Sequence, residues 1–194
     1  MTTLTTNSTD NKGLINSGKF TLWMFLVSIV MIFAALTSAY IVRRAEGNWL
    51  EFEMPVLFIW SSITIVISSI TMHLSYLSIK NDKIGTSKLL LTLTVVLGFV
   101  FLLSQWFAWG QLVNMKVFFG GSAANAAGSF MYVLTGVHAF HIVSGIVYLL
   151  IIFGKTLGNK ISSKNAVVME TCATYWHFLG ILWIYLYVFL ILNH

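Results

Sequence analysis

Five long apolar runs separated by short polar stretches make up nearly the whole of this chain. They extend from Phe20 to Val42, from about Met54 to Ile79, from Leu89 to about Val113, from about Ser129 to Phe153 and from about Ala173 to Leu192. Crossing about 30 Å of hydrocarbon takes about 20 helical residues, and each run is that long. Only helices or closed barrels satisfy every backbone group in lipid. These runs are too long for barrel strands and lack their alternation. The pattern predicts an all-α membrane protein: a five-transmembrane-helix bundle over residues 20–194, preceded by a polar tail at 1–19.

Composition strengthens that reading. The chain is 58% hydrophobic and 9% charged, with a mean hydropathy of +0.86. A soluble domain carries about a quarter charged residues, so this surface must face lipid or protein, and no nucleic-acid partner is expected. The tail is rich in Thr and Asn, with Lys12 and Lys19 as its only basic residues. It has neither the apolar core of a signal peptide nor the arginines of a mitochondrial transit peptide. The lone Cys172 excludes an intrachain disulfide and a Cys-rich metal site.

Charge position sets the orientation. An odd number of spans puts the two ends of the chain on opposite sides. Lys12, Lys19, Lys80, Lys83, Lys88, Lys155, Lys160 and Lys164 then fall on one side, and only Arg43, Arg44 and Lys116 on the other. The positive-inside rule places the first side in the cytoplasm. The expected location is a bacterial inner membrane, with the N-terminus cytoplasmic and the C-terminus periplasmic. The Gly- and Ala-rich stretch between runs three and four, GGSAANAAG, reads as an external connection.

Polar groups inside a membrane are costly and each needs a reason. His138 and His141 lie three residues apart on the fourth run and share a helix face. They could bind metal or haem, or make interhelical hydrogen bonds or lipid-headgroup contacts. The second reading is favoured, because a closed metal site needs three or four protein ligands. Glu170 and His177, two turns apart on the fifth run, also share a face. They read equally as a proton-handling or headgroup-binding pair and as interfacial packing. His73 is expected to snorkel to the interface, and His194 is terminal. Gln105 and the hydroxyls Ser61, Ser62, Thr64, Ser68, Ser69 and Thr71 are expected to join helices, with Gly136 and Gly145 as small contact residues. Trp106, Trp109, Trp176 and Trp183 are expected to be buried, and Trp49 interfacial.

Two segments carry a resemblance. The fourth run reads Tyr132-Val-Leu-Thr-Gly-Val-His-Ala-Phe-His-Ile-Val-Ser-Gly145, and the fifth Glu170-Thr-Cys-Ala-Thr-Tyr-Trp-His-Phe-Leu-Gly-Ile-Leu-Trp183. They resemble the signature segments of subunit III of the haem–copper oxidases, Thr-Gly-x-His-x-x-His-x-x-x-Gly and Glu-x-x-x-x-Tyr-Trp-His-Phe-x-Asp-x-x-Trp. The first run, LWMFLVSIVMIFAALTSAYIVRR, looks like that family's third helix, and LGFVFLLSQWFAWGQL matches a weaker signature. The family's five-helix form lacks the first two helices of the seven-helix form. The chain departs from the pattern at Ser28-Ile29, where the family often has Ser-Glu, and at Gly180, where it has an acidic residue.

The resemblance implies an accessory subunit of a proton-pumping terminal oxidase that reduces oxygen to water, with cytochrome c oxidase as the expected type. It implies subunit I as main partner, subunit II, membrane lipid and a respiratory supercomplex as further ones. Haem and copper would reside in the partner subunits, with bound phospholipid but no cofactor, metal or catalytic residue on this chain. The histidine and cysteine counts agree: a catalytic subunit needs six histidine ligands and a binuclear copper centre two cysteines, whereas this chain has five and one. Carried over by motif, His138, His141, Glu170, Tyr175, Trp176 and His177 are the candidates for lipid contact and internal hydrogen bonding. The alternatives are a quinol oxidase subunit III, an accessory subunit of nitric oxide reductase, and a small membrane transporter.

Overall fold

The computed structural model describes residues 17–50, 52, 54–121, 125–158 and 166–193. Lys12, Glu51, Glu53, Lys160, Lys164 and His194 fall outside them. Five α-helices follow in order: α1 Ser17–Ala45, α2 Leu57–Lys80, α3 Ile84–Asn114, α4 Ala126–Leu157 and α5 Ala166–Asn193. All are long and apolar enough to cross a membrane, and the described residues contain no strand.

Four of the helices outrun the apolar segments that announce them, whereas α2 starts at Leu57, three residues inside the run read from about Met54. α5 begins seven residues before Ala173, and α1 takes in the last three residues of the stretch read as tail. Hydropathy marks only the part that must lie in hydrocarbon, and a helix continues into the headgroup layer while its backbone bonds are satisfied. Local chemistry sets the ends. Pro55 stands just before α2, where a missing N–H does no harm, and its carbonyl accepts from Phe58 N at 3.0 Å. The Asn125 side chain caps α4 by accepting from Ala127 N at 3.0 Å. It also accepts from Leu50 N and donates to Asn48 O. The connection between runs three and four therefore anchors the α1–α2 segment as well.

α2 and α3 form the most extensive pair, and α5 packs on α1, α2 and α4. Lipid tails are as apolar as a protein core, so helices associate through close packing and hydrogen bonds rather than through hydrophobic transfer. The α2–α3 seam shows both. Ser61, Ser68 and Ser75 recur every seventh residue on α2 and are fully buried. On α3 the matching positions are Ser87 and Thr94. Ser75 and Ser87 each donate to the other's carbonyl at 3.0 Å, and the Thr71 and Thr94 hydroxyls lie 2.9 Å apart.

At the end where α4 and α5 finish and start, Lys19 pairs with Glu170 at 2.8 Å. There too, Lys80 lies 5.1 Å over the Tyr76 ring. At the opposite end Tyr40 donates to Asn193 O at 2.9 Å and packs edge-on against Trp49 and Phe189. Trp109 and Trp49 are partly buried against the core. Trp106 corrects the sequence expectation: it is 71% exposed on the outside of α3. Gly136 has no neighbouring atom within 4 Å of a built Cβ and makes no close contact.

Candidate functional site

The polar residues of α4 and α5 divide between the interior and the bundle surface. Trp176 is buried and its indole N–H donates to Ser68 Oγ of α2 at 3.1 Å. Two glycines make room for its ring. A Cβ at Gly98 would lie 3.0 Å from Trp176 Cη2, and one at Gly145 3.3 Å from Trp176 Cζ3. One heptad along α5, Trp183 repeats the arrangement, donating to Ser62 Oγ at 3.0 Å. Each indole thus pins α5 to a serine of α2.

Tyr175 joins α5 to α4 instead. Its hydroxyl lies 2.7 Å from Ser144 Oγ and donates to His141 O at 3.4 Å. His141 turns Nδ1 to the Val137 carbonyl at 2.8 Å and packs against Phe33 of α1. His138 is fully enclosed and lies against Trp183, Phe101 and Phe33. Neither of its ring nitrogens has a hydrogen-bond partner.

Glu170 and His177 share a face of α5 as the spacing predicts, yet they take different partners. Glu170 is half-exposed and bonds to Lys19 of α1. His177 bonds through Nδ1 to the Ser69 hydroxyl of α2, and its ring lies 5.7 Å from that of the exposed His73. Two open, mostly apolar grooves flank these residues. One, of about 260 Å³, runs between α2 and α5 past Ser69, His177 and Gly180. The other, of about 400 Å³, lies among α1, α4 and α5 beside the Lys19–Glu170 pair, with Gly18, Thr21, Tyr148 and Thr171 on its wall. Gly180 shapes the first groove: a Cβ there would meet only Ile65, at 3.6 Å. Ile29, where the resemblance leads one to look for a carboxylate, is a buried core residue.

Among the described residues no three of His, Cys, Asp and Glu converge on a common point. His138 and His141 share a face, but one is boxed in by aromatic rings and the other is tied to its own helix. The expectation that Ser68 joins helices holds, but the seven-residue repeat it forms with Ser61 and Ser75 on α2 emerges from the structure's α2–α3 seam. Their spacing was the available signal, since a repeat of seven on one helix marks a continuous seam.

The fold and its polar chemistry define a multi-pass helical membrane protein in which motif residues of α4 and α5 fasten the helices and lie at or beside grooves on the outside of the bundle. Comparison with known proteins gives the family. The model of cytochrome c oxidase subunit III matches residues 48–193, which takes in α2 to α5. The probable cytochrome c oxidase subunit 3 of Nocardia farcinica is 26% identical, over 84% of this chain and 82% of its own length. Subunit 3 of the cytochrome c oxidase of Synechocystis is 30% identical, over 85% and 71%. Subunit 3 of the cytochrome bo(3) ubiquinol oxidase of Buchnera aphidicola is 26% identical, over 88% of both chains. The chain belongs to the cytochrome c oxidase subunit III family and is an accessory subunit of an oxidoreductase complex.

Proposed function

We propose that this chain is the lipid-holding support of a proton-pumping haem–copper oxidase, taking no part in electron transfer itself. The observation that carries the reading is the use made of its motif residues. Tyr175 and Trp176 fasten helices to one another, while His177 lines one open groove and the Lys19–Glu170 pair stands beside the other. A groove of about 400 Å³ is in the size range of a ligand site. Its apolar wall suits an acyl chain, and Lys19 beside it suits a phosphate. The lysine excess supports a cytoplasmic placement of this end in a bacterial inner membrane. Subunit I is the main partner in this reading, with subunit II beyond it and a supercomplex as the wider setting. Haem and copper are then held by those partners.

Cytochrome c is the inferred electron donor, in keeping with the family description and most of the similar proteins. Quinol is the second reading, because one relative is named as a ubiquinol oxidase subunit. Family membership displaces the transporter alternative.

Glu170→Ala tests the lipid role. An exposed ion pair contributes at most about 1 kcal/mol to folding, so the variant should assemble. Without its tether to α5, the first turn of α1 is freed and the groove loosens. Mass spectrometry of the purified complex should then find fewer bound phospholipids, and the oxidase should inactivate after fewer turnovers. Unchanged lipid content would sink the proposal.

A further inference from the structure

The interior of the bundle contains a second polar layer that none of the fastening contacts explains. Gly98 of α3, Gly145 of α4 and Trp176 of α5 meet in one layer. A shift of two helical turns, seven residues, returns each helix to nearly the same face. Applied towards the Trp109 end of α3, that shift carries the three positions to Gln105, His138 and Trp183. The register is fixed independently by Trp109 of α3, whose indole donates to Thr135 of α4 at 3.0 Å. His138 and Trp183 are indeed neighbours, with ring centroids 5.2 Å apart, and Phe101 of α3 packs against both.

Gln105 is 2% exposed and His138 0%. Both polar atoms of Gln105 and both ring nitrogens of His138 lack any protein partner. The other polar groups of this region are already engaged: Ser62 donates to Phe58 O and accepts from Trp183, and Ser61 donates to Phe58 O. Buried polar groups in native proteins are almost always hydrogen-bonded, to protein or to ordered water. In hydrocarbon the alternatives are fewer still.

We propose that the Trp183 layer is a buried hydration site, in which ordered water bridges the Gln105 amide of α3 to the His138 imidazole of α4. The donor and acceptor sets match. A neutral imidazole offers one N–H and one acceptor nitrogen, and the amide offers two N–H and a carbonyl. A buried water needs two to four such partners. The layer is closed to lipid, so the water is a structural component, and it joins α3 to α4 one turn inward from the Trp109–Thr135 bond.

A cryo-EM map of the oxidase containing this chain, at a resolution that shows ordered water, is the direct test. Density within hydrogen-bonding distance of both Gln105 and His138 is expected. A direct bond between the two side chains, or an empty layer, would overturn the proposal. A double-mutant cycle on thermal unfolding reads the same bridge from the energetic side. Gln105→Leu and His138→Leu should each lower the melting temperature by about 3–6 °C, because each strands the other's partner. The double variant should lose less than the two together. Additive losses, or single variants that melt at or above the unmodified protein, would contradict the bridge. Where a variant fails to fold, the map of the unmodified complex still decides.

Discussion

Trp176→Ala is expected to destabilise the bundle by about 3 kcal/mol, the low end of the range for truncating a buried aromatic. The reason for the low end is the solvent. In water much of the loss would be hydrophobic transfer, but between lipid and protein interior that contribution nearly vanishes. What remains is the cavity left between Gly98 and Gly145 and the loss of the 3.1 Å bond to Ser68. The two can be separated. Trp176→Phe keeps most of the ring and forfeits the hydrogen bond, so it should cost only about 1 kcal/mol. Unfolding of the purified chain in mixed micelles, followed by circular dichroism, measures both. Equal losses for the two variants would mean that the hydrogen bond, and not the packing, holds α5 against α2.

Gly145→Val should do comparable harm from the opposite direction. A Cβ at this position would stand 2.7 Å from Leu179 Cδ1 and 3.3 Å from the Trp176 ring. Leu179 is fully buried, so its methyl has nowhere to retreat without moving a neighbour. Overpacking of this kind costs about 1–3 kcal/mol, and valine's two extra methyl groups place it at the upper end. It should also force α4 and α5 apart and weaken the Tyr175–Ser144 contact at the adjacent residue. Gly136→Ala on the same helix is the control. With no atom within 4 Å of its Cβ, it should stay within about 0.5 kcal/mol of the unmodified protein. If Gly145→Val melts like Gly136→Ala, the close approach of α4 to α5 is not as described.

The contrast between these glycines shows what the sequence could reveal. Five helices were legible because hydrocarbon demands long apolar runs, and no soluble alternative tolerates so few charges. Which face of each helix meets protein was much less so. Trp106 looks as core-like as Trp176 in the sequence, yet it is 71% exposed. In a bilayer an apolar ring is welcome on either side, so hydrophobicity cannot sort them. Polar residues are more informative, because lipid penalises them wherever they lack a partner. Gln105, His138 and four α2 serines, Ser61, Ser62, Ser68 and Ser75, are all turned inward. Even there, spacing fixed only the face. Glu170 and His177 share one, but the partners that separate them, Lys19 and Ser69, lie on α1 and α2, at sequence distances no local pattern encodes.

That this chain works as part of an oxidase is tested by purifying the tagged chain in mild detergent, with a reduced-minus-oxidised optical spectrum and mass spectrometry of what accompanies it. Haem absorbance together with a large multi-span subunit and a copper-binding partner is the predicted result. A colourless chain that emerges without partners, from cells in which it is expressed at its natural level, would contradict it.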